Sequence, residues 1–190
     1  MKKSHIFLGI IVFVLGIVVF LFATDFFLSN DQKADKEKER LIAKIEETKF
    51  SELPVITMDE LEEKIDNGDD IIAYFSFVNK CGDSLLFQAN SFNKYLEDPD
   101  IFNKIYVINL DIEAPEALRN RELRTPIAQR FQIDTWTEDP TVNPMQLFSP
   151  QLVHYNGGEI VDLVSWTPGN LDPEYGINRD LTDRFFENIK

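Results

Sequence analysis

The sequence predicts an α/β fold, a mixed central sheet with flanking helices, preceded by one transmembrane helix. Three observations predict it. Two nearly continuous apolar runs, IIAYFSFV (71–78) and IYVINLDI (105–112), lack polar alternation, as strands covered on both faces do. Segments of helical spacing separate them, and a strand–helix–strand crossover makes such a pair parallel. Finally, QLVHY and EIVDLVSW flank a turn of Asn156, Gly157 and Gly158, which reads as an antiparallel hairpin. The predicted order is β-α-β-α-β-α-β-β-α, over 53–190.

Taken from the N-terminus, Ile6 to Ala23 holds no charge in 18 residues. At 1.5 Å per residue that is about 27 Å of helix, near the ~30 Å of a bilayer's hydrocarbon layer. It is either an uncleaved anchor, giving residues 1–28 that role, or a signal peptide that is removed. Leu21 and Ala23 make a poor small-x-small cleavage site. Lys2 and Lys3 lie directly against the span, and Asp25 and Asp31 lie beyond it, which favours an inside N-terminus and an exported remainder. Lys33, Lys36, Lys38 and Arg40 follow closely enough that a simple basic count does not settle orientation.

Residues 29–52 alternate charges without Gly or Pro, and Leu41, Ile42 and Ile45 share a helical face. They read as a helical stalk or a solvated linker. A short strand and a helix follow: Thr57 and Glu60 have capping-box spacing, Leu61 and Ile65 form an apolar i,i+4 pair, and Asn67-Gly68 stops the helix. SLLFQANSFNKYLED is helical up to Pro99, PEALRNRELRTPIAQRFQI is helical in two pieces broken around Thr125-Pro126, and NRDLTDRFFENIK is a closing amphipathic helix.

The formal charge is −14 with a pI near 4.5. After Thr24 there are 17 basic residues against 33 acidic, a balance of −16. Counterion-release binding needs clustered Lys and Arg, so no nucleic-acid partner is expected. Cys81 is the only cysteine, which excludes an internal disulfide. No cofactor is expected: there is no phosphate-cradling Gly loop and no dinucleotide fingerprint. His154 lacks a second His in the domain and reads as structural rather than a metal ligand. The acidic stretches at Asp111 and Asn170 have oxygen donors but not the alternating spacing of a calcium loop.

Over 54–190 the chain resembles the thioredoxin-like superfamily. YFSFVNKCGDS is similar to the family's strand followed by Cys-Gly-x-Cys, with Cys81 at the attacking position. SPQLVHYNGGEIVD is similar to its cis-proline, strand, turn and return strand, with Pro150 at the cis-proline and Ser149 before it. With its N-terminal anchor, the chain also resembles the Gram-positive bacteriocin transport accessory group. The resemblance implies a thiolate nucleophile at a helix N-terminus, where partial positive charge favours it. Lys80 supports that charge and Asp83 opposes it. It also implies a substrate-docking edge formed by Ser149 and Pro150, with Gly82 and Trp136 beside the sulfur.

Three departures stand out. Ser84 replaces the second cysteine, so the site is Cys-Gly-Asp-Ser and cannot close its own disulfide. Phe75 stands where thioredoxins carry a buried acid. The segment 134–148, with Trp136, Met145 and Phe148, is long; it is either a partner-binding lid or a surface loop. Cys81 is then a working single thiol, with Ser84 a hydrogen-bond donor to it, or a vestige. The expected function is an extracytoplasmic, membrane-tethered domain in thiol–disulfide handling of cysteine-containing exported proteins or peptides. The alternative is a non-catalytic binding module for a membrane export or cell-envelope partner.

Overall fold

The computed structural model describes residues 30–134, 146–165 and 171–189. The apolar segment 6–23, Trp136 and Met145 lie outside them. Among the described residues no helix is long and apolar enough to cross a membrane. The chain divides into two compact units, Met1–Arg40 and Leu41–Lys190, with helix α1 (Asn30–Glu46) running through the boundary. The first unit's described part is a charged helical stretch carrying a Glu37–Arg40 ion pair at 2.6 Å. Both partners are more than half exposed, so that pair adds little stability.

The second unit is built on a four-stranded sheet of order β2-β1-β3-β4, where β1 is Ile71–Ser76, β2 Ile105–Asn109, β3 Gln151–Asn156 and β4 Glu159–Ser165. β1 and β2 are parallel, with Ile72 opposite Ile105. β3 runs antiparallel to both β1 and β4. Alternate residues of β1 enter opposite cores, which explains its unbroken apolarity. Ile72 and Tyr74 join Leu85, Phe87, Phe92, Phe185 and Phe186 on one face. Ile71, Ala73 and Phe75 join Met58, Leu61, Ile127 and Phe131 on the other. The segment expected as a stalk contributes Leu41, Ile45 and Phe50 to the first of these cores.

Helix α2 (Met58–Asp66) starts at a complete capping box: the Glu60 N–H donates to the Thr57 hydroxyl, and the Thr57 N–H donates to the Glu60 carboxylate. Gly68, at φ +74°, follows its end. Helix α3 (Gly82–Phe87) passes through a π-helical turn (Gln88–Phe92) into α4 (Asn93–Leu96), ending before α5 (Pro99–Phe102). The hairpin turn is tighter than expected: Asn156 pairs with Glu159, leaving Gly157 and Gly158 at φ +64° and +85° as a two-residue loop.

Four local expectations change. The strand before α2 shrinks to a single bridge between Val55 and Val107, because a 3-10 turn (Lys49–Glu52) precedes it and the Thr57 cap follows at once. β2 ends at Asn109 rather than residue 112, since the Asn109 side chain accepts from the Asp111 N–H and opens a helical turn, α6 (Leu110–Glu113). The helical break falls before Arg124: two 3-10 turns, Pro115–Leu118 and Arg121–Leu123, lead into α7 (Arg124–Arg130). Pro126 lies in the first turn of α7, where an absent N–H loses no helical bond. Lastly, a small hairpin, β5 (Leu171–Asp172) with β6 (Gly176–Ile177), stands before the closing helix α8 (Arg179–Glu187).

Candidate functional site

After β1 the chain turns sharply, with the Lys80 and Cys81 N–H groups both donating to the Phe77 carbonyl at 3.3 and 3.1 Å. That turn delivers Cys81 as the N-cap of α3, extended at φ −96° and ψ 123°. Its own carbonyl accepts from the Leu85 N–H at 3.0 Å, so the sulfur sits where a helix's first N–H groups lack intrahelical partners. The side chain is partly exposed, and Sγ donates to the Ser149 carbonyl at 3.5 Å.

The Ser149–Pro150 peptide bond is cis. Ser149 is fastened by its hydroxyl, which accepts from the buried Phe77 N–H at 3.0 Å and bonds the Ser84 hydroxyl at 3.0 Å. Both serines are buried, so the Ser84 hydroxyl is engaged with Ser149 rather than with the Cys81 sulfur. Pro150 is buried as well, and the group that meets Sγ is the Ser149 backbone carbonyl. Gly82 is exposed, and a side chain there would meet nothing within 4 Å. Trp136 lies outside the described residues. Phe148, from the same segment, is buried with its N–H donating to Gln151 Oε1.

Behind the serines lies a polar layer that the sequence did not announce. The Gln88 amide donates to the Tyr74 hydroxyl and to Ser76 Oγ, both at 3.2 Å, and all three residues are fully buried. Burial pushes the Tyr74 phenol up, and hydrogen bonds from Ser76 and Gln88 only partly oppose it. Gln88 Oε1 and Ser91 Oγ are buried without hydrogen-bond partners among the described residues. Such orphans cost stability, about 1 to 3 kcal/mol each unless water reaches them. Phe75 packs against Phe131 on the opposite face, with ring centroids 5.4 Å apart and planes tilted by 53°.

Lys80 lies 3.9 Å from Asp111, and Asp111 also accepts from the Asn79 N–H at 2.8 Å. Burial pushes the Asp83 carboxyl up. The notable cation is Arg124. Its Nε donates to the Ala117 carbonyl at 2.7 Å and its Nη2 to the Leu118 carbonyl at 3.0 Å, and its guanidinium lies 5.2 Å over the Phe77 ring. Burial lowers its proton affinity, as does Arg121. Arg124 is remote from Cys81 in sequence, and no motif marks it.

His154 hydrogen-bonds Asp70 at 2.7 Å, and Asp70 also pairs with Lys104 at 2.7 Å, which makes the histidine part of a structural ion-pair cluster. The described part of the acidic stretch that begins at Asn170, residues 171–177, forms the β5–β6 hairpin, where Asp172 accepts from the Glu174 and Tyr175 N–H groups. Among the described residues no group of three or more His, Cys, Asp or Glu is placed to hold a metal ion.

No protein-family profile matches the chain. No curated protein matches it either. Among solved structures it is similar to a provisionally assigned oxidoreductase with a thioredoxin fold, at 18% identity and a TM-score of 0.41, covering 72% of this chain and 96% of the other. The sheet order, the cis Ser149–Pro150 bond and its contact with Cys81 are this chain's own geometry and do not rest on that likeness.

Proposed function

We propose that the protein is a membrane-tethered, extracytoplasmic thioredoxin-like domain whose single thiol forms mixed disulfides with cysteine-containing exported proteins or peptides. The observation that carries the reading is the position of Cys81: partly exposed, at a helix N-cap, and facing the carbonyl of a cis X-Pro segment. In the step, the Cys81 thiolate attacks one sulfur of a substrate disulfide. A Cys81–S bond forms, the substrate S–S bond breaks, and the departing half leaves as a thiolate. Cys81 and the attached half form the new disulfide, while the departing half is reduced. Release then needs an external thiol, because Ser84 offers no resolving sulfur. Tethering rests on the uncharged segment 6–23, and export on Lys2 and Lys3 against the acidic far flank. An export component fits the likeness to bacteriocin transport accessory proteins.

A second reading, a non-catalytic accessory module, is favoured by the Ser84–Ser149 bond, which fills the resolving position with a buried, satisfied hydroxyl pair. Ser84→Cys separates the two. The redox reading expects the variant to gain an intramolecular disulfide and turnover with a dithiol reductant. An inert variant with a folded circular dichroism spectrum favours the accessory module. Carbonate extraction of membranes from cells making the full chain tests the tether: release into the soluble fraction removes it.

A further inference from the structure

Arg124 is held as if to meet a ligand. Two backbone carbonyls, Ala117 and Leu118, fix one edge of its guanidinium, and the Phe77 ring supports its face. Its remaining N–H groups have no acceptor among the described residues, and no carboxylate there pairs with it. Arg40 and Arg130 carry carboxylate partners, whereas Arg119, Arg121, Arg179 and Arg184 form no carboxylate ion pair among the described residues either; what marks Arg124 is that two backbone carbonyls and a ring hold it in place. Phe77 joins the two groups: its ring lies under Arg124, and its carbonyl accepts from the Cys81 N–H. Ala117, which accepts from Arg124, belongs to the same apolar cluster that Cys81 packs against. A guanidinium already ordered and partly stripped of water binds a carboxylate at lower entropic cost than a free surface side chain does.

We propose that Arg124 selects the substrate of Cys81, favouring disulfides with a carboxylate a few bonds from the attacked sulfur. This deepens the thiol–disulfide reading and rests on it. The covalent step is the one given above; Arg124 takes no part in electron or proton movement and acts by orienting the anionic half. The overall negative charge repels such substrates at long range, so the preference is local to this fork.

The test uses 3,3′-dithiodipropionate and its neutral diamide as probes of the folded full chain, with mixed-disulfide formation at Cys81 followed by intact-mass spectrometry. The reading is the ratio of the two second-order rates. Arg124→Gln is expected to lower the acid-to-amide ratio by about tenfold, the effect of losing one charge-assisted contact. Arg124→Lys is expected to recover part of it, since the charge returns without the fork. In the wild type the folded ratio is expected to exceed that of the same chain unfolded in urea, a comparison that needs no variant to fold. Equal ratios in folded and unfolded wild type, or an unchanged ratio in Arg124→Gln, overturn the selection role while leaving Cys81 a nucleophile. Failure of both probes to modify folded Cys81 overturns the thiol reading itself, and the selection role with it.

Discussion

Gly176 shows how one residue far along the chain shapes the helix that carries Cys81. It sits at φ +82°, a backbone region open mainly to glycine. A Cβ built there falls 2.3 Å from the Asp83 carbonyl oxygen and 3.0 Å from the Phe87 nitrogen. Both are backbone atoms of α3, so neither can swing aside. Gly176→Ala is therefore expected to destabilise the domain by about 2 to 4 kcal/mol, from overpacking and backbone strain together. Urea unfolding followed by tryptophan fluorescence or circular dichroism checks it, and a loss below about 1 kcal/mol shows that the hairpin yields instead. The sequence shows a glycine after NLDPEY, consistent with a turn, but not that a helix backbone lies against it.

At the scale of elements, the most legible were those whose signal is local. The capping box of α2 is written in Thr57 and Glu60 and is complete in three dimensions. Thr57→Ala is expected to cost about 1 kcal/mol, read as a lowered denaturation midpoint with an unchanged slope. Little of the effect should appear in Thr57→Asn, which restores a cap. The hairpin was equally readable, because two glycines between strand-forming runs leave few other turns. The helix after Cys81 was legible as a helix but not in its π-helical turn, where Gln88 bonds Tyr74 and Ser76. The β5–β6 hairpin was missed because two-residue strands lack enough length for any periodicity to show.

Across the whole molecule, acidity governs the response to pH. Pairing with Lys104, reinforced by His154 against the cost of burial, holds the Asp70 carboxyl below its ordinary value of 3.8. Lys94 and then Tyr95 do the same for Asp183. A folded pKa below the unfolded one gives a contribution present in full above the unfolded pKa and lost as pH falls through the folded one. Stability is thus expected to decline on acidification through and below the ordinary carboxylate range. Asp70→Asn should flatten that decline, as measured by urea midpoints at a series of acidic pH values; an identical acid limb in the variant refutes the assignment. Asp83 acts in the opposite sense: burial raises its pKa, so its ionised form weakens the fold above that pKa and protonation relieves the penalty.

The sequence by itself determined the mixed α/β architecture, the position of Cys81 between β1 and a helix, and the proline-led return strand. These depend on hydrophobic period, turn residues and caps, which act over a few neighbouring residues. Only the tertiary structure decided what surrounds the sulfur: the Ser149 carbonyl rather than the Ser84 hydroxyl, Lys80 turned toward Asp111, and Arg124 brought over Phe77. Electrostatic and hydrogen-bond partners are chosen by distance in space, and segments far apart along the chain meet only once the sheet has set their separation.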